Sequence, residues 1–447
     1  MFKNYLTIAM RNLLKYRGYS LINILGLAIG MACCILILLW VQDEISYDRF
    51  HTNRNEIYRV LQNIHLDQDV TWAITQGPLG PNLKSDFPEI VDFTRTTDRG
   101  FRLVYGEQRF DERVGFADPS LFDVFDFSLV KGDPQQALAG PRSIVISESM
   151  ATKYFGNEDP MGKIVTADDT YEFTVTGVLK DIPHNSHMQF DFIIPFVFGL
   201  ELNYTVDRWN NSQFTTYVLL EQGVSGDQAA AKIARYLDAK PTLEEGTILR
   251  LQPLTEVHLY SDHEFDRYGR GDIQYVYVFS IAATFVLLIA CMNFMNLTTA
   301  RSARRALEVG LRKVVGAQRR DIILQFFGES IFLTFIALVC AVVMVELLIP
   351  QFNDLAGKEM TLIASGNYLL LAGICGIALL TGILSASYPA LLLSSYQPIK
   401  VLMGKSQGGR SGSLFRRILV VTQFAISLVL IIGAITIYRQ IEFMQQV

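Results

Sequence analysis

Five long apolar runs divide this chain of 447 residues. Each run approaches or exceeds the roughly 20 residues that a helix needs to cross about 30 Å of hydrocarbon. Four of them contain no Asp, Glu, Lys or Arg, and the third carries Glu346 near its end, where the carboxylate can reach the membrane interface. The runs are 19–41, 275–297, 331–349, 368–393 and 418–438. This pattern predicts an α-helical membrane protein with five transmembrane helices.

Residues 42–274, between the first two runs, alternate strand and helix patterns. Alternating apolar and polar positions predict strands, whereas apolar positions three and four residues apart predict short helices. The strands are expected at 57–64, 101–105, 143–146, 171–179, 190–195 and 214–221, and the helices at 80–86, 119–125, 147–155 and 225–237. The region therefore predicts a large α+β domain, with two lobes that divide near residues 195–206.

Charge predicts on which side of the membrane each segment lies. Residues 1–18, 298–326 and 394–417 together hold 16 basic and 2 acidic side chains, whereas residues 42–274 hold 21 basic and 37 acidic ones. Because short cytoplasmic segments are enriched in Lys and Arg, we expect the three basic segments inside and the α+β domain outside. The basic segments lie beside the membrane, which argues against nucleic-acid binding and makes membrane lipids an expected partner. Residues 1–18 also have the apolar and basic faces of a helix that lies along the membrane surface.

Motifs for catalysis or metal binding are weak. The segment GNEDPMGK at 156–163 resembles a phosphate-binding loop, but its glycines are six apart and Ile164 replaces the Ser or Thr that would hold magnesium. We interpret it as a turn after a helix. His184 and His187 lie in turn-like sequence, which favours a loop over a metal site. The sequence has no HExxH, no GxSxG and no ATP-binding loop, so it predicts a non-catalytic chain without cofactor or metal.

The five cysteines all fall inside the apolar runs. The exported region has none, although an oxidising compartment would allow disulfides there. We therefore expect its hydrophobic core alone to stabilise it.

The basic segment after the second run has the periodicity of a helix. Apolar residues recur along one side, at Ala303, Leu307, Leu311 and Val314, and charged residues along another, at Arg301, Arg305, Glu308 and Arg312. Glu308 precedes Arg312 by four residues, the favourable order for a helical ion pair, and Gly316 is placed to end the helix. Two interpretations stay open: a docking site for a soluble partner, or a cytoplasmic loop whose arginines only set the topology.

Small residues in two of the runs predict close contacts between helices. Gly26 and Gly30 form a GxxxG pattern in the first run, and Gly376 and Gly382 lie in the fourth. Such patterns occur both in ordinary bundle packing and in dimer interfaces. Ordinary packing is the favoured interpretation.

Four local motifs, together with this topology, point to a known family. The basic loop reads EVGLRK at 308–313 followed by GA at 316–317, and NFMNLTTARSARR at 293–305 precedes it. The other motifs are NILGLAIGMA at 23–32 with YDRFH at 47–51, and SYPALLLSSYQPIKVLMG at 387–404. In these features the chain resembles the MacB/FtsX-like ABC transporter permeases over nearly its whole length.

The resemblance implies a division of labour between two polypeptides. A separate ATPase would hydrolyse ATP, and the loop helix, seated in a groove of that ATPase, would pass the motion to a MacB-type periplasmic core domain that drives export or release of a substrate. The residues implied in coupling are Arg301, Arg304, Arg305, Glu308, Gly310, Arg312, Lys313 and Gly316. Other implied partners are a second permease half or a homodimer, and a periplasmic adaptor. The implied location is the bacterial inner membrane, with a cytoplasmic N-terminus.

The expected domain plan follows from these observations. It comprises an amphipathic helix at 1–18, spans at 19–41 and 275–297 around the periplasmic domain 42–274, a coupling loop at 298–326, two FtsX-like spans within 327–393, a linker at 394–417, a fifth span at 418–438 and a new exported region from 439 to 447. The fifth run follows Arg416 and Arg417 and resembles the first run. We therefore expect the chain to be the first half of a longer, tandem permease.

Two alternative functions stay open at this level. An FtsX-like regulator would use the exported domain to bind and activate a cell-wall hydrolase. A receptor without ATPase coupling would need cytoplasmic signalling domains, for which the predicted cytoplasmic segments are short. The acidic excess of the exported region favours cationic ligands, but the sequence does not distinguish peptide, macrolide and lipoprotein substrates.

Overall fold

The computed structural model describes residues 10–11, 17–65, 69–242, 246–268, 271–300, 302–362, 368–395 and 411–446. Within these ranges, side chains are described except at 65, 302–306, 368–369, 411–413, 437, 441 and 444–446. Most of the predicted surface helix at residues 1–18 lies outside the described residues, as does most of the predicted linker at 394–417.

The described chain forms eleven helices and twelve strands. The helices are α1 (Arg17–Ile45), α2 (Leu79–Asp86), α3 (Leu121–Val124), α4 (Pro134–Ala137), α5 (Glu148–Phe155), α6 (Gly226–Ile233), α7 (Ile273–Ala300), α8 (Ser302–Val314), α9 (Arg319–Ala356), α10 (Tyr368–Ser394) and α11 (Ser411–Gln446). The strands are β1 (Ile57–His65), β2 (Asp69–Trp72), β3 (Thr75–Gln76), β4 (Ile90–Tyr105), β5 (Gln108–Ala117), β6 (Leu129–Lys131), β7 (Ser143–Ser147), β8 (Ile164–Ala167), β9 (Tyr171–Leu179), β10 (Phe192–Pro195), β11 (Ser212–Leu220) and β12 (Ile248–Pro253).

The chain divides into two compact units, Asp43–Tyr275 and the remainder. The first of these, which we call the exported unit after its predicted location, differs by one residue at each end from the predicted region 42–274. The second, the membrane unit, holds five helices among its described residues that are long and apolar enough to cross a membrane. The predicted fold class, five spans and a large α+β domain, is confirmed in the described residues.

All strands of the exported unit join one mixed sheet. Its order is β12-β1-β11-β4-β5-β10-β7-β9-β6, with β2 paired to β1, β3 to β11, and β8 to both β4 and β9. Most pairs are antiparallel, but β5 with β10 and β7 with β9 run parallel. The division into two lobes stays a prediction, because this sheet runs through the whole unit.

The predicted strands are all present, but several differ in length. β9 matches its predicted bounds, whereas β4 extends from Ile90 rather than from residue 101. The first half of β4 pairs with β11 and its second half with β5, which explains its 16 residues. The predicted helix at 225–237 is wrong in its second half, where α6 ends at Ile233 and a separate 3₁₀ turn covers Tyr236–Ala239. The turn expected at 156–163 is present, with Gly156 and Gly162 at φ 60° and 74°.

Three apolar clusters stabilise the exported unit. One packs α2 and α6 on β1, β11 and β12, and includes Val60, Leu83, Val218 and Ile233. The other two are rich in phenylalanine and combine residues of β4 to β10 with residues of β1 and β11. Burial of such side chains contributes about 1.5–3 kcal/mol each, in a unit whose sequence contains no cysteine.

In the membrane unit, α1 lies against α7 along most of its length. Tyr19 Oη donates to Thr298 Oγ1 at 2.9 Å near one end, and the rings of Trp40 and Phe279 meet edge to face at 4.8 Å near the other. Between these contacts, a Cβ added at Gly30 would lie 2.5 Å from Ala290 Cβ. Gly30 therefore permits close packing inside the chain.

The other predicted packing glycines differ in their surroundings. A Cβ at Gly26 would lie 3.3 Å from Asn293 Nδ2, and one at Gly382 would lie 3.1 Å from Ile331 Cγ1. A Cβ at Gly376 would meet no described atom within 4 Å. Gly26 and Gly382 thus lie at helix contacts within the membrane unit.

Candidate functional site

The loop helix, as we call α8, is the strongest candidate site. It ends at Val314, and Gly316 follows with φ 100°, a conformation that costs glycine little and other residues more. The amides of Val315, Gly316 and Ala317 donate to carbonyls of its last turn. The helix and its end at Gly316 are as predicted. Arg312 Nη2 donates to Glu308 Oε1 at 2.7 Å, so the predicted ion pair is also present.

One face of the loop helix is buried against the membrane unit. Val309 is 4% exposed and belongs to a small apolar cluster. Its other buried members are Ile322 and Phe326 of α9 with Ala390 and Leu393 of α10. Gly310, the next residue, is also buried. The loop helix therefore packs on two of the apolar helices rather than projecting freely.

A row of polar side chains links the same face to α9. Arg312 Nη1 donates to Gln325 Oε1, and Gln325 Nε2 donates to Glu329 Oε1 at 2.9 Å. Gln325 and Glu329 are 9% and 6% exposed. Hydrogen bonds between a charged and a buried neutral group are stronger than average, so Arg312 holds the loop helix to α9.

The C-terminal end of α10 is held by two basic residues. Lys313 Nζ donates to the carbonyl oxygen of Ser394 at 2.7 Å, and Arg319 Nε donates to Ser394 Oγ at 3.3 Å. Basic side chains satisfy the last carbonyls of a helix and interact favourably with its dipole. Partial burial, and then the charge of Arg319, lower the pKa of Lys313 below its usual value. Lys313 and Arg319 thus tie the loop helix and α9 to α10.

The opposite face of the loop helix is apolar and exposed. Leu307, Leu311 and Val314 lie at helical spacing and are 51%, 55% and 62% exposed. Val315, just past the helix, is 88% exposed. We call these four residues the apolar stripe. A helix in a globular unit usually turns such a stripe toward its own core. Here the stripe points outward, and the charged residues Arg312 and Lys313 point inward.

A second polar site lies in the exported unit, around Asp48. Asp48 Oδ1 lies 2.9 Å from His187 Nδ1 and accepts from the amide of His187 at 3.1 Å. His187 Nε2 lies 2.7 Å from Tyr217 Oη, and all of these groups are buried. Burial alone would raise the pKa of Asp48, but the charge and hydrogen bonds of His187 outweigh burial and lower it. This pair is a structural contact of the predicted YDRFH motif.

His51, the last residue of that motif, is fully buried beside it. The amide of Asp126 donates to His51 Nδ1 at 3.1 Å, which requires that nitrogen to be unprotonated. Burial lowers the pKa of His51 to about 4, against the opposing charge of Asp48. Below pH 6.5 the unfolded chain therefore binds a proton that the folded chain does not bind.

We expect acid to destabilise the exported unit as pH falls from 6.5 to about 4. His51 should account for about 3 kcal/mol of that loss, since each pKa unit corresponds to about 1.4 kcal/mol. Thermal unfolding of the full chain in detergent, followed from pH 7.5 to 4.5, measures it. In His51→Gln the amide oxygen still accepts from Asp126 but does not titrate, so the decline should be shallower. An equally steep decline in that variant would contradict the assignment to His51.

Comparison with known proteins decides the family. A family model described as MacB-like periplasmic core domain matches residues 20–236, and one described as FtsX-like permease C-terminal matches residues 280–398. The chain belongs to the MacB/FtsX-like ABC transporter permeases. Five helices among the described residues are long and apolar enough to cross a membrane, which makes this permease a multi-pass membrane protein.

Individual relatives are distant. The macrolide export ATP-binding/permease protein MacB of Bdellovibrio bacteriovorus is 28% identical over 58% of this chain and 38% of its own length. The chain therefore spans well under half the length of that relative. YknZ of Bacillus subtilis, described as an uncharacterized ABC transporter permease, is 22% identical over 74% of this chain and 82% of its own length. The crystal structure of the periplasmic region of MacB from Actinobacillus actinomycetemcomitans is 17% identical, covers 45% of this chain and 90% of that chain, and has a TM-score of 0.34.

Of the eight predicted coupling residues of this permease, Gly316 ends the loop helix and the other seven fall into three groups. Arg301, Arg304 and Arg305 lie outside the residues whose side chains are described. Glu308 is exposed, whereas Gly310 is buried and Arg312 and Lys313 bond to the permease's own helices. Their part in ATPase coupling stays a prediction.

Sequence reasoning missed the residues that receive the loop helix, namely Gln325, Glu329 and Ser394. The sequence predicts a loop over residues 298–326 and an apolar run that begins at residue 331. In the structure α9 begins at Arg319. A usable signal was present, because Asp321, Gln325 and Glu329 recur every four residues and so share one face of a helix.

The remaining candidates resolve into ordinary contacts. His184 Nε2 lies 2.6 Å from Asp43 Oδ1, and His187 lies between Asp48 and Tyr217. In the described ranges, no three His, Cys, Asp or Glu side chains come together as a metal site would require.

Proposed function

We propose that this permease couples ATP hydrolysis by a separate ABC ATPase to movement of its exported unit, and that this movement drives export or release of a substrate. The observation that carries the proposal is the outward apolar stripe on a helix whose other face is fastened to α9 and α10. A docking surface on a firmly held helix can pass a displacement to the helices that hold it.

The apolar stripe fits a protein groove better than water or lipid headgroups. Four exposed apolar side chains close together form a patch of the kind that marks interaction sites. The nearby Glu308 would lie at the rim of such an interface. The proposed occupant is the ABC ATPase, because the family membership implies that partner.

The proposed orientation places the loop helix in the cytoplasm and the exported unit outside. It rests on the distribution of Lys and Arg between residues 298–326 and residues 42–274. This side of the membrane is also where an ATPase finds ATP.

The proposal is tested by replacing residues 302–314 with a Gly/Ser linker of equal length. The full chain and the variant are purified from cells that contain an ABC ATPase of the same genome, and bound ATPase is measured. We expect the variant to insert into the membrane at the wild-type level but to retain less than about a tenth of the ATPase, because interfaces depend on a few central side chains. Equal ATPase recovery would overturn the proposal. Recovery of a periplasmic hydrolase in place of any ATPase would favour the regulator.

A further inference from the structure

Four of the six histidines of this chain lie in or against residues 43–51, which we call the connector. They are His51 within it and His184, His187 and His258, each of which lies beside a connector carboxylate. The connector begins in the last turn of α1 and leads to β1. Both it and its partners belong to the exported unit.

Two carboxylates in the last turn of α1 pair with histidines of the exported unit. Asp43 Oδ1 lies 2.6 Å from His184 Nε2, and Glu44 Oε2 lies 2.7 Å from His258 Nε2. The ring of Tyr47 stacks on that of His258, with 3.4 Å between their centroids and 3° between their planes. The Asp43 and Glu44 side chains are both 8% exposed. Because a buried carboxylate that loses its hydrogen-bond donor is left unsatisfied, these contacts hold the end of α1 in place.

His258 also lies beside the residues that open α7. The amide of Gly271 donates to the His258 carbonyl at 2.9 Å, and the amide of Ile273, where α7 begins, donates to the Leu259 carbonyl at 3.1 Å. A Cβ at position 271 would lie 2.6 Å from His258 Nε2 and 2.8 Å from Glu44 Oε2. Only a residue without a side chain fits there as the pair now lies. The end of α1 and the start of α7 therefore meet at the Glu44–His258 pair.

Buried contacts continue from this pair into the sheet. Ser261, three residues after His258, accepts a hydrogen bond from Arg59 Nη2 of β1 at 2.7 Å. The same guanidinium donates to Gln252 Oε1 of β12 and lies 2.9 Å from Asp266 Oδ2. Arg59 is fully buried, so a displacement of the His258 segment cannot be absorbed by a mobile side chain.

We propose that Glu44, His258 and Gly271 form a joint between the end of α1 and the start of α7. Because of this joint the two helix ends move together, and β1 and β12 are displaced with them. The inference rests on the proposed function, since it assigns the step by which movement of the spans enters the exported unit. Glu44 and His258 are positioning residues in this role. Neither is expected to contact the ATPase or the substrate.

The test uses the full chain with its ATPase in lipid nanodiscs. Hydrogen exchange of the β1 and β12 amides is compared with and without ATP in wild type, Glu44→Ala, His258→Ala and the double variant. We expect each single change to reduce the ATP-dependent difference about fivefold or more, and the double change to add nothing further, because both remove one shared contact. ATP hydrolysis and ATPase binding should stay within about twofold of wild type, whereas a merely misfolded chain would lose them too. Lys131→Ala, which removes the exposed pair with Asp159, is the matched control and should behave as wild type.

Gly271→Ala gives a second, independent test. Its added methyl group should separate the Glu44–His258 pair and reduce the ATP-dependent difference as the single alanine variants do. The joint would be overturned if Glu44→Ala and His258→Ala kept the wild-type ATP-dependent difference in hydrogen exchange. It would also be overturned if the double variant lost the sum of the two single reductions.

A wild-type complex without any ATP-dependent difference would instead overturn the proposed function. The joint would then be judged by thermal unfolding of the same four proteins. If the double variant loses no more stability than one single variant, the joint is supported as a structural contact. If its loss equals the sum of the two single losses, the joint is overturned.

Discussion

Leu311→Glu is expected to lower the affinity of this permease for its ATPase by about 30-fold or more, equivalent to about 2 kcal/mol. Leu311 lies at the centre of the apolar stripe, and its side chain is 55% exposed. Placed in a partner's apolar groove, a glutamate would bury an unpaired charge, whereas at the free surface it is solvated. The measurement is binding of purified ATPase to the permease in nanodiscs.

The matched control for this change is Leu355→Glu. Leu355 is 86% exposed and lies in the last turn of α9, at the opposite end of that helix from the loop helix. Both variants exchange an exposed leucine for a glutamate and alter net charge equally. If both bind the ATPase as wild type does, the apolar stripe is not the docking surface. If both lose binding, charge or general damage is responsible.

Arg312→Ala should act on the same interface indirectly. The Arg312 guanidinium already donates hydrogen bonds to Glu308 and Gln325. Its removal should therefore weaken the contact between the loop helix and α9 rather than remove a contact with the ATPase. A permease that binds the ATPase but transmits less movement is the expected phenotype.

Asp48→Ala is expected to destabilise the exported unit by about 3–5 kcal/mol, the range for breaking a buried pair. The change leaves the buried ring of His187 without its carboxylate and removes the acceptor for the amide of that residue. It also places alanine at φ 56°, where Asp and Asn are tolerated better. Thermal unfolding of the full chain in detergent measures the loss.

Asp48→Asn separates charge from shape in the same experiment. Asparagine keeps the side-chain oxygen and the tolerance for positive φ but loses the charge. We expect it to be destabilised by less than the alanine variant. If Asp48→Ala unfolded at the wild-type temperature, the role assigned to this pair would be wrong.

The membrane unit was largely predictable from sequence. Apolar runs of about 20 residues have few interpretations, and the spacing of Glu308, Arg312 and Gly316 specified a helix, its ion pair and its end. The polar beginning of α9 was not predicted, because Gln325 and Glu329 interrupt the hydropathy signal that marks a span.

The orientation of the loop helix was beyond sequence reasoning for a different reason. Periodicity separates two faces but does not say which of them the protein buries. Val309, lying between the charged residues, is the one that packs on Phe326 and Leu393, and the more regular stripe of Leu307 and Leu311 stays outside.

Contacts between distant segments account for the rest. The YDRFH motif marked the connector, but its partners lie far along the chain: Asp43 and His184 are 141 residues apart, and Glu44 and His258 are 214 apart. Strands such as β5 were missed because their exposed halves carry polar residues and show no clear alternation.

The absence of cysteine from residues 42–274 provides a direct test of the central claim, transmission from the ATPase to the exported unit. Val130, which is 52% exposed on β6, can be changed to cysteine and labelled with a membrane-impermeant fluorophore. In nanodiscs with the ATPase, we predict that ATP changes the emission of the Val130→Cys label when the loop helix is wild type, and leaves it unchanged when Leu311→Glu is also present. An ATP-dependent change of equal size in both proteins, or none in either, would contradict the account.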